Sequence, residues 1–138
     1  MEEGTLNSGQ IRNAMRCEPS EAMLEFERFL YHRETLVRGT AAILLGKVLP
    51  EKVVEAALKE ETLSGLSLML EALETIGCKD IEDLTPLLRR KDSMMVERAV
   101  RTFVRVGRAD LLFGMAVSGD ELTTQRIKRY LHEQGFIR

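Results

Sequence analysis

The chain has no tryptophan, only two cysteines and three prolines, and only 5% aromatic residues in 138. So few aromatics argue against a stacking platform for single-stranded nucleic acid. Long hydrophobic runs are missing too. The longest, Ala41 to Leu45, is five residues, against about 20 for a membrane-spanning helix. The amino terminus, Met-Glu-Glu-Gly, is acidic and leads into no apolar stretch, so it does not read as a secretory signal. Cys17 and Cys78 lie 61 positions apart without a partner motif, which is the pattern of two reduced thiols in a cytoplasmic protein. There is no glycine-rich phosphate loop, no nucleophile elbow, no Cys-x-x-Cys and no metal-binding histidine spacing. The expectation is a chain that is not an enzyme, with no catalytic residue, no cofactor and no metal.

What is present is a balance of 44% apolar and 30% charged residues, enough to build one core and to exclude a wholly disordered chain. The net charge of −2 hides an asymmetry. Residues 1–85 carry 9 Lys/Arg and 16 Asp/Glu, and residues 86–138 carry 11 and 6. An acidic half and a basic half offer one basic face on an acidic chain. They also fit head-to-tail self-association.

The chain repeats itself. Segments starting at Val37, Leu66, Val96 and Thr124 overlay at spacings of 29, 30 and 28. Three places on come Thr40, Met69, Ala99 and Ile127; four places on, Ala41, Leu70, Val100 and Lys128; seven places on, Leu44, Leu73, Phe103 and Leu131. That spacing is one stripe of an α-helix. Eleven places on, Gly77, Gly107 and Gly135 suit the left-handed position that stops a helix, whereas the first unit has Val48 there and Gly46 two places early. Shorter apolar segments lie between the long ones: Leu49-Pro50 onward, Asp80 to Lys91, and Asp110 to Val117. Each is too short to be stable alone and must pack on its long neighbour. Asp92 or Ser93 reads as the start of the third long helix, and Ser118 with Glu121 as a capping box for the fourth. Ahead of the repeats, Ile11 to Arg16 and Ser20 to Arg33 read as helices, while residues 1–8 read as loose. No segment alternates with period two. The fold expected is all-α, an α-solenoid of about nine helices in a single domain over residues 9–138.

The stretch Val37-Arg-Gly-Thr-Ala-Ala-Ile-Leu-Leu-Gly46 resembles the core of HEAT-like repeats of the phycocyanobilin lyase type, and so does Ile81 to Asp92 followed by Val96 to Gly107. The resemblance covers about residues 34–135. It implies a superhelix of helical hairpins whose second helices line a concave, partner-binding face. It does not fix a function, since such repeats serve many partners. Iron-binding relatives of this kind use several His-Glu pairs, and this chain has one, His132-Glu133. Bilin lyases handle a tetrapyrrole, for which no aromatic pocket is evident. DNA glycosylases of the type use tryptophan, which is absent.

One constellation stands out. Arg98, Arg101 and Arg105 share a face of the third long helix, and Arg126 and Arg129 hold the first two of those places in the fourth. If helices of successive units run parallel, Arg98 neighbours Arg126 and Arg101 neighbours Arg129, and Arg108 extends the patch. Arginine forks grip carboxylates and phosphates in paired geometry. The expectation is a non-enzymatic interaction scaffold binding an acidic protein through these five arginines. A nucleic-acid binder or a bilin-handling protein is the alternative, and nucleic acid ranks low because the chain is acidic overall. Arginines opposite an apolar stripe are also simply where a surface helix keeps its charge. Glu34 with Arg38 reads as an ordinary exposed i, i+4 pair.

Overall fold

A computed structural model describes residues 21–118, 120–133 and 135. The expected loose start, the helix at Ile11 to Arg16 and Cys17 lie outside the described residues. All regular structure among the described residues is helical. The chain divides into two compact units, Met1–Ile76 and Gly77–Arg138, where the sequence reads as one domain over 9–138.

The first unit holds α1 (Glu21–Phe29), α2 (Thr35–Gly46), α3 (Pro50–Lys59) and α4 (Leu63–Thr75). α1 buries Phe26 and Phe29, with Leu30 just beyond. It ends earlier than its apolar pattern, because Leu30, Tyr31 and His32 N–H groups turn back to the carbonyls of Glu27, Arg28 and Phe29 in a tightened last turn. α3 opens on Pro50, whose missing N–H costs nothing at a helix start. It buries Val53, Val54, Ala56 and Ala57. α4 is capped by Thr62, whose hydroxyl accepts from the Gly65 N–H at 3.0 Å.

The tightest packing in this unit is between α2 and α4. A side chain at Gly39 would put its Cβ 2.9 Å from Leu68 Cβ, and one at Gly46 would meet Ala72 at 3.6 Å. Residue 39 thus faces 68 and residue 46 faces 72, so α2 and α4 run parallel, with α3 connecting them. In α2 the buried residues are Gly39, Ala41, Ala42, Leu45 and Gly46, while Val37, Thr40 and Leu44 are half-buried. The expected stripe is therefore displaced by one residue. In α4 it holds: Leu66, Met69, Leu70 and Leu73 are fully buried.

The second unit begins with a 3-10 helix, Glu82–Arg89, that contains Pro86. It continues with α5 (Ser93–Arg105), α6 (Ala109–Ser118) and α7 (Glu121–Glu133). Ile81, Leu84, Leu87 and Leu88 bury the inner side of the 3-10 segment, and α5 answers with Met95, Val96, Ala99, Val100 and Phe103. Asp92 caps α5, accepting from the Met94 and Met95 N–H groups. α7 is capped by Asp120 rather than by the expected Ser118. Its carboxylate accepts from the Thr123 N–H at 2.8 Å and the Thr123 hydroxyl at 3.0 Å. Those two bonds hold the Asp120 carboxyl below its ordinary range.

Gly77, Gly107 and Gly135 have φ of 66°, 79° and 82°, the left-handed conformation expected of them. After α5 the Arg108 N–H bonds to the Phe103 carbonyl at 2.8 Å and the Gly107 N–H to the Val104 carbonyl at 3.1 Å. These are the paired bonds of a Schellman termination. Val48 needs no such turn. α2 ends instead where Val48 and Leu49 N–H groups bond to the Leu45 carbonyl, just ahead of Pro50.

Candidate functional site

α5 carries the basic face in the second unit. Its buried stripe turns Arg98, Arg101 and Arg105 to the opposite side, beside the exposed Met94. Arg98 is half-buried and its Nη1 donates to Thr102 Oγ1 at 3.0 Å. Arg101 lies 4.0 Å from the Glu97 carboxylate, a loose pair with both side chains about 40% exposed. Arg105 is exposed near the helix end. On α7, Arg129 is 76% exposed and its Nε meets Glu133 at 3.2 Å.

Arg126 is placed differently from the expectation. Its Nη1 donates to the Arg90 carbonyl at 2.7 Å, and its Nη2 faces the Lys91 carbonyl at 3.5 Å. It ties α7 to the turn ahead of α5 and is aimed at backbone, not at Arg98. Tyr130 does the same one turn later, its hydroxyl donating to the Ser93 carbonyl at 3.0 Å. Burial, with the Glu97 carboxylate nearby, pushes the Tyr130 phenol up. These two bonds tie α7 to the backbone of Arg90 and Ser93 at the entry to α5.

Arg108 does not extend the patch. Its guanidinium donates to the Lys79 carbonyl and Glu82 Oε1, each at 2.6 Å, and to both Asp110 oxygens at 3.0 and 3.2 Å. The Arg108 hydrogen bonds hold the Glu82 and Asp110 carboxyls below their usual range. This arginine joins the start of the 3-10 helix to the start of α6.

A second polar centre lies wholly in the first unit, and the sequence reading misassigned it. Arg38 does not pair with Glu34. Its Nε and Nη2 form a two-pronged bond with Glu60 at 2.7 and 2.9 Å. Nη1 donates to the His32 and Arg33 carbonyls, and Nη2 also to Thr35 Oγ1. All five donors of the guanidinium are therefore placed. Glu60 is 3% exposed at its side chain and Arg38 14%. Glu60 also accepts from the Thr62 N–H and hydroxyl. Burial pushes the Glu60 carboxyl up. The bonds from Arg38 and Thr62, with the Arg38 charge, outweigh that and hold it below the ordinary value of 4.5.

This pair forms the floor of a cleft of about 410 Å³ lined by residues 30–33, 35, 38, 56 and 59–62. The one sequence signal for it is Arg38 itself, a lone arginine inside an otherwise apolar segment. Among the described residues no group of three or more His, Cys, Asp or Glu side chains is placed to hold a metal ion, and no helix is long and apolar enough to cross a membrane. The two centres are thus three guanidinium groups on one helix, from half-buried Arg98 to exposed Arg105, and a polar cleft over a buried ion pair. Comparison with protein-family models, curated proteins and solved structures finds no match to this chain.

Proposed function

We propose that the protein is a non-enzymatic interaction scaffold of HEAT-like helix pairs that binds an acidic protein partner through the arginines of its second unit. One observation carries this reading. α5 buries an apolar stripe and presents Arg98, Arg101 and Arg105 together on its open side. The parallel α2 and α4, and the left-handed glycines after α4, α5 and α7, support the helix-pair architecture. Arg129 belongs to the contact surface by its exposure. Arg126 contributes by fixing α7.

Arginine forks on such a face match carboxylates two at a time. An arginine at the centre of the contact is worth about 1–3 kcal/mol on truncation, against a few tenths for a charge at the rim. The Arg98→Glu/Arg101→Glu protein is expected to keep its helical content and melting temperature, because Thr102 Oγ1 still donates to the residue-98 carbonyl at 3.2 Å. In affinity capture from nuclease-treated lysate, wild type retains an acidic protein that the double variant loses. Capture that vanishes with nuclease would transfer the reading to nucleic acid, and unfolding of the double variant would make the arginines structural.

A further inference from the structure

The cleft of the first unit presents an unused basic rim over a finished floor. Its floor is saturated, since every Arg38 donor is placed. Its rim is not. Arg33 is exposed and forms no side-chain bond or ion pair among the described residues. Lys59 has no carboxylate partner there and lies 5.4 Å over the Tyr31 ring. His32 Nδ1 accepts the Glu34 N–H at 3.0 Å, leaving Nε2 as the ring's donor. Three cationic side chains face two carboxylates among the lining residues. Yet residues 1–76 as a whole carry 8 Lys/Arg and 13 Asp/Glu. The cleft is a positive hollow on an acidic unit, the arrangement that concentrates small anions.

The rest of the lining is mixed: Thr35, Glu61 and Thr62 are polar, and Leu30 and Ala56 are buried behind it. Tyr31, 52% exposed, supplies the one apolar surface for a flat body. A volume of 410 Å³ falls within the range of about 300–1,000 Å³ typical of small-molecule sites.

We propose that this cleft binds a small organic anion, a carboxylate or phosphate head on a ring, with Arg33, Lys59 and His32 Nε2–H holding the head and Tyr31 backing the ring. The site is independent of the arginines on α5 and of the partner proposed for them.

The test is titration of the ¹⁵N-labelled full chain by two-dimensional NMR, with phenyl phosphate, benzoate, inorganic phosphate and phenol as probes. Phenyl phosphate or benzoate is expected to give saturable shifts confined to residues 30–38 and 56–65. Inorganic phosphate binds more weakly and phenol gives none. Arg33→Ala and Lys59→Gln each weaken binding about tenfold, the effect of one charge-assisted hydrogen bond. Glu61→Gln strengthens it by removing an opposing charge. All three replaced side chains lie outside the buried core, so thermal melts should stay near wild type. The proposal is overturned if neither ring-bearing anion gives a saturable shift, if the shifts survive both Arg33→Ala and Lys59→Gln, or if phenol alone reproduces them. Equal affinity for inorganic phosphate and phenyl phosphate would remove the role given to Tyr31.

Discussion

An Arg38→Met variant is expected to lose about 3–5 kcal/mol of stability, because it leaves the Glu60 carboxylate buried without its counter-charge. The same two positions replaced together, Arg38→Met/Glu60→Met, should recover most of that loss, since a buried pair exchanged for apolar side chains is close to neutral. Urea denaturation followed by circular dichroism measures both. The pH dependence separates this cause from simple loss of packing. In wild type the Glu60 carboxyl titrates below its unfolded value of 4.5. Its contribution is therefore full above about that pH and is lost as pH falls through the folded value. In Arg38→Met the sign reverses. Burial now raises the carboxyl above the unfolded value, so the folded state takes up the proton first and stability rises as pH falls. Parallel pH profiles for the two proteins would show that the ion pair is not what holds this region.

Gly65→Ala is expected to cost about 1–3 kcal/mol, although alanine is the better helix former by about 1 kcal/mol. A Cβ at residue 65 would lie 2.6 Å from Glu60 Cδ and 2.7 and 2.8 Å from its two oxygens. That carboxylate is not a loose side-chain end. It is held by Arg38 and Thr62, and swinging away would break those bonds. In a Glu60→Ala background the obstacle is gone, and Gly65→Ala should then stabilise by roughly the helix-propensity difference. A change of sign between the two backgrounds is the result that a double-mutant cycle is designed to detect. An unchanged sign would mean that α4 accommodates the methyl by another route.

Much of this architecture is legible in the amino-acid order, for reasons that also explain the failures. Val96, Ala99, Val100 and Phe103 stand in a strongly polar helix, so the stripe could be phased, and all four are buried. The segment Ala41 to Leu45 is apolar on every side, so periodicity cannot phase it. The buried face was settled by Gly39, which lets α2 close on Leu68. The 3-10 helix left a trace in the threefold spacing of Ile81, Leu84 and Leu87, but over eight residues a period of 3.0 is hard to tell from 3.6. Ser118 with Glu121 fits the capping-box spacing, but Asp120 offers the same oxygen chemistry and only the backbone path chooses between them. The polar sites were less legible still. Four arginines at matching repeat positions, 98 and 101 with 126 and 129, look alike in sequence, yet Arg126 bonds to the Arg90 carbonyl while Arg129 pairs with Glu133 on its own helix. Arg38 and Glu60 are 22 positions apart, and nothing local links them.

That separation bears on time as well as on free energy. The ion pair can close only when α2, the end of α3 and the start of α4 are all in place, and its two groups must shed water to meet. Such a contact is expected to form after the folding barrier and to break before it in the reverse direction. Its loss should therefore appear in the rate of unfolding, faster by a factor of about one hundred to several thousand for 3–5 kcal/mol, with the rate of folding nearly unchanged. Wild type and Arg38→Met would reach the native state equally fast and differ in how long they keep it. The half-life of the first unit rests on one arginine.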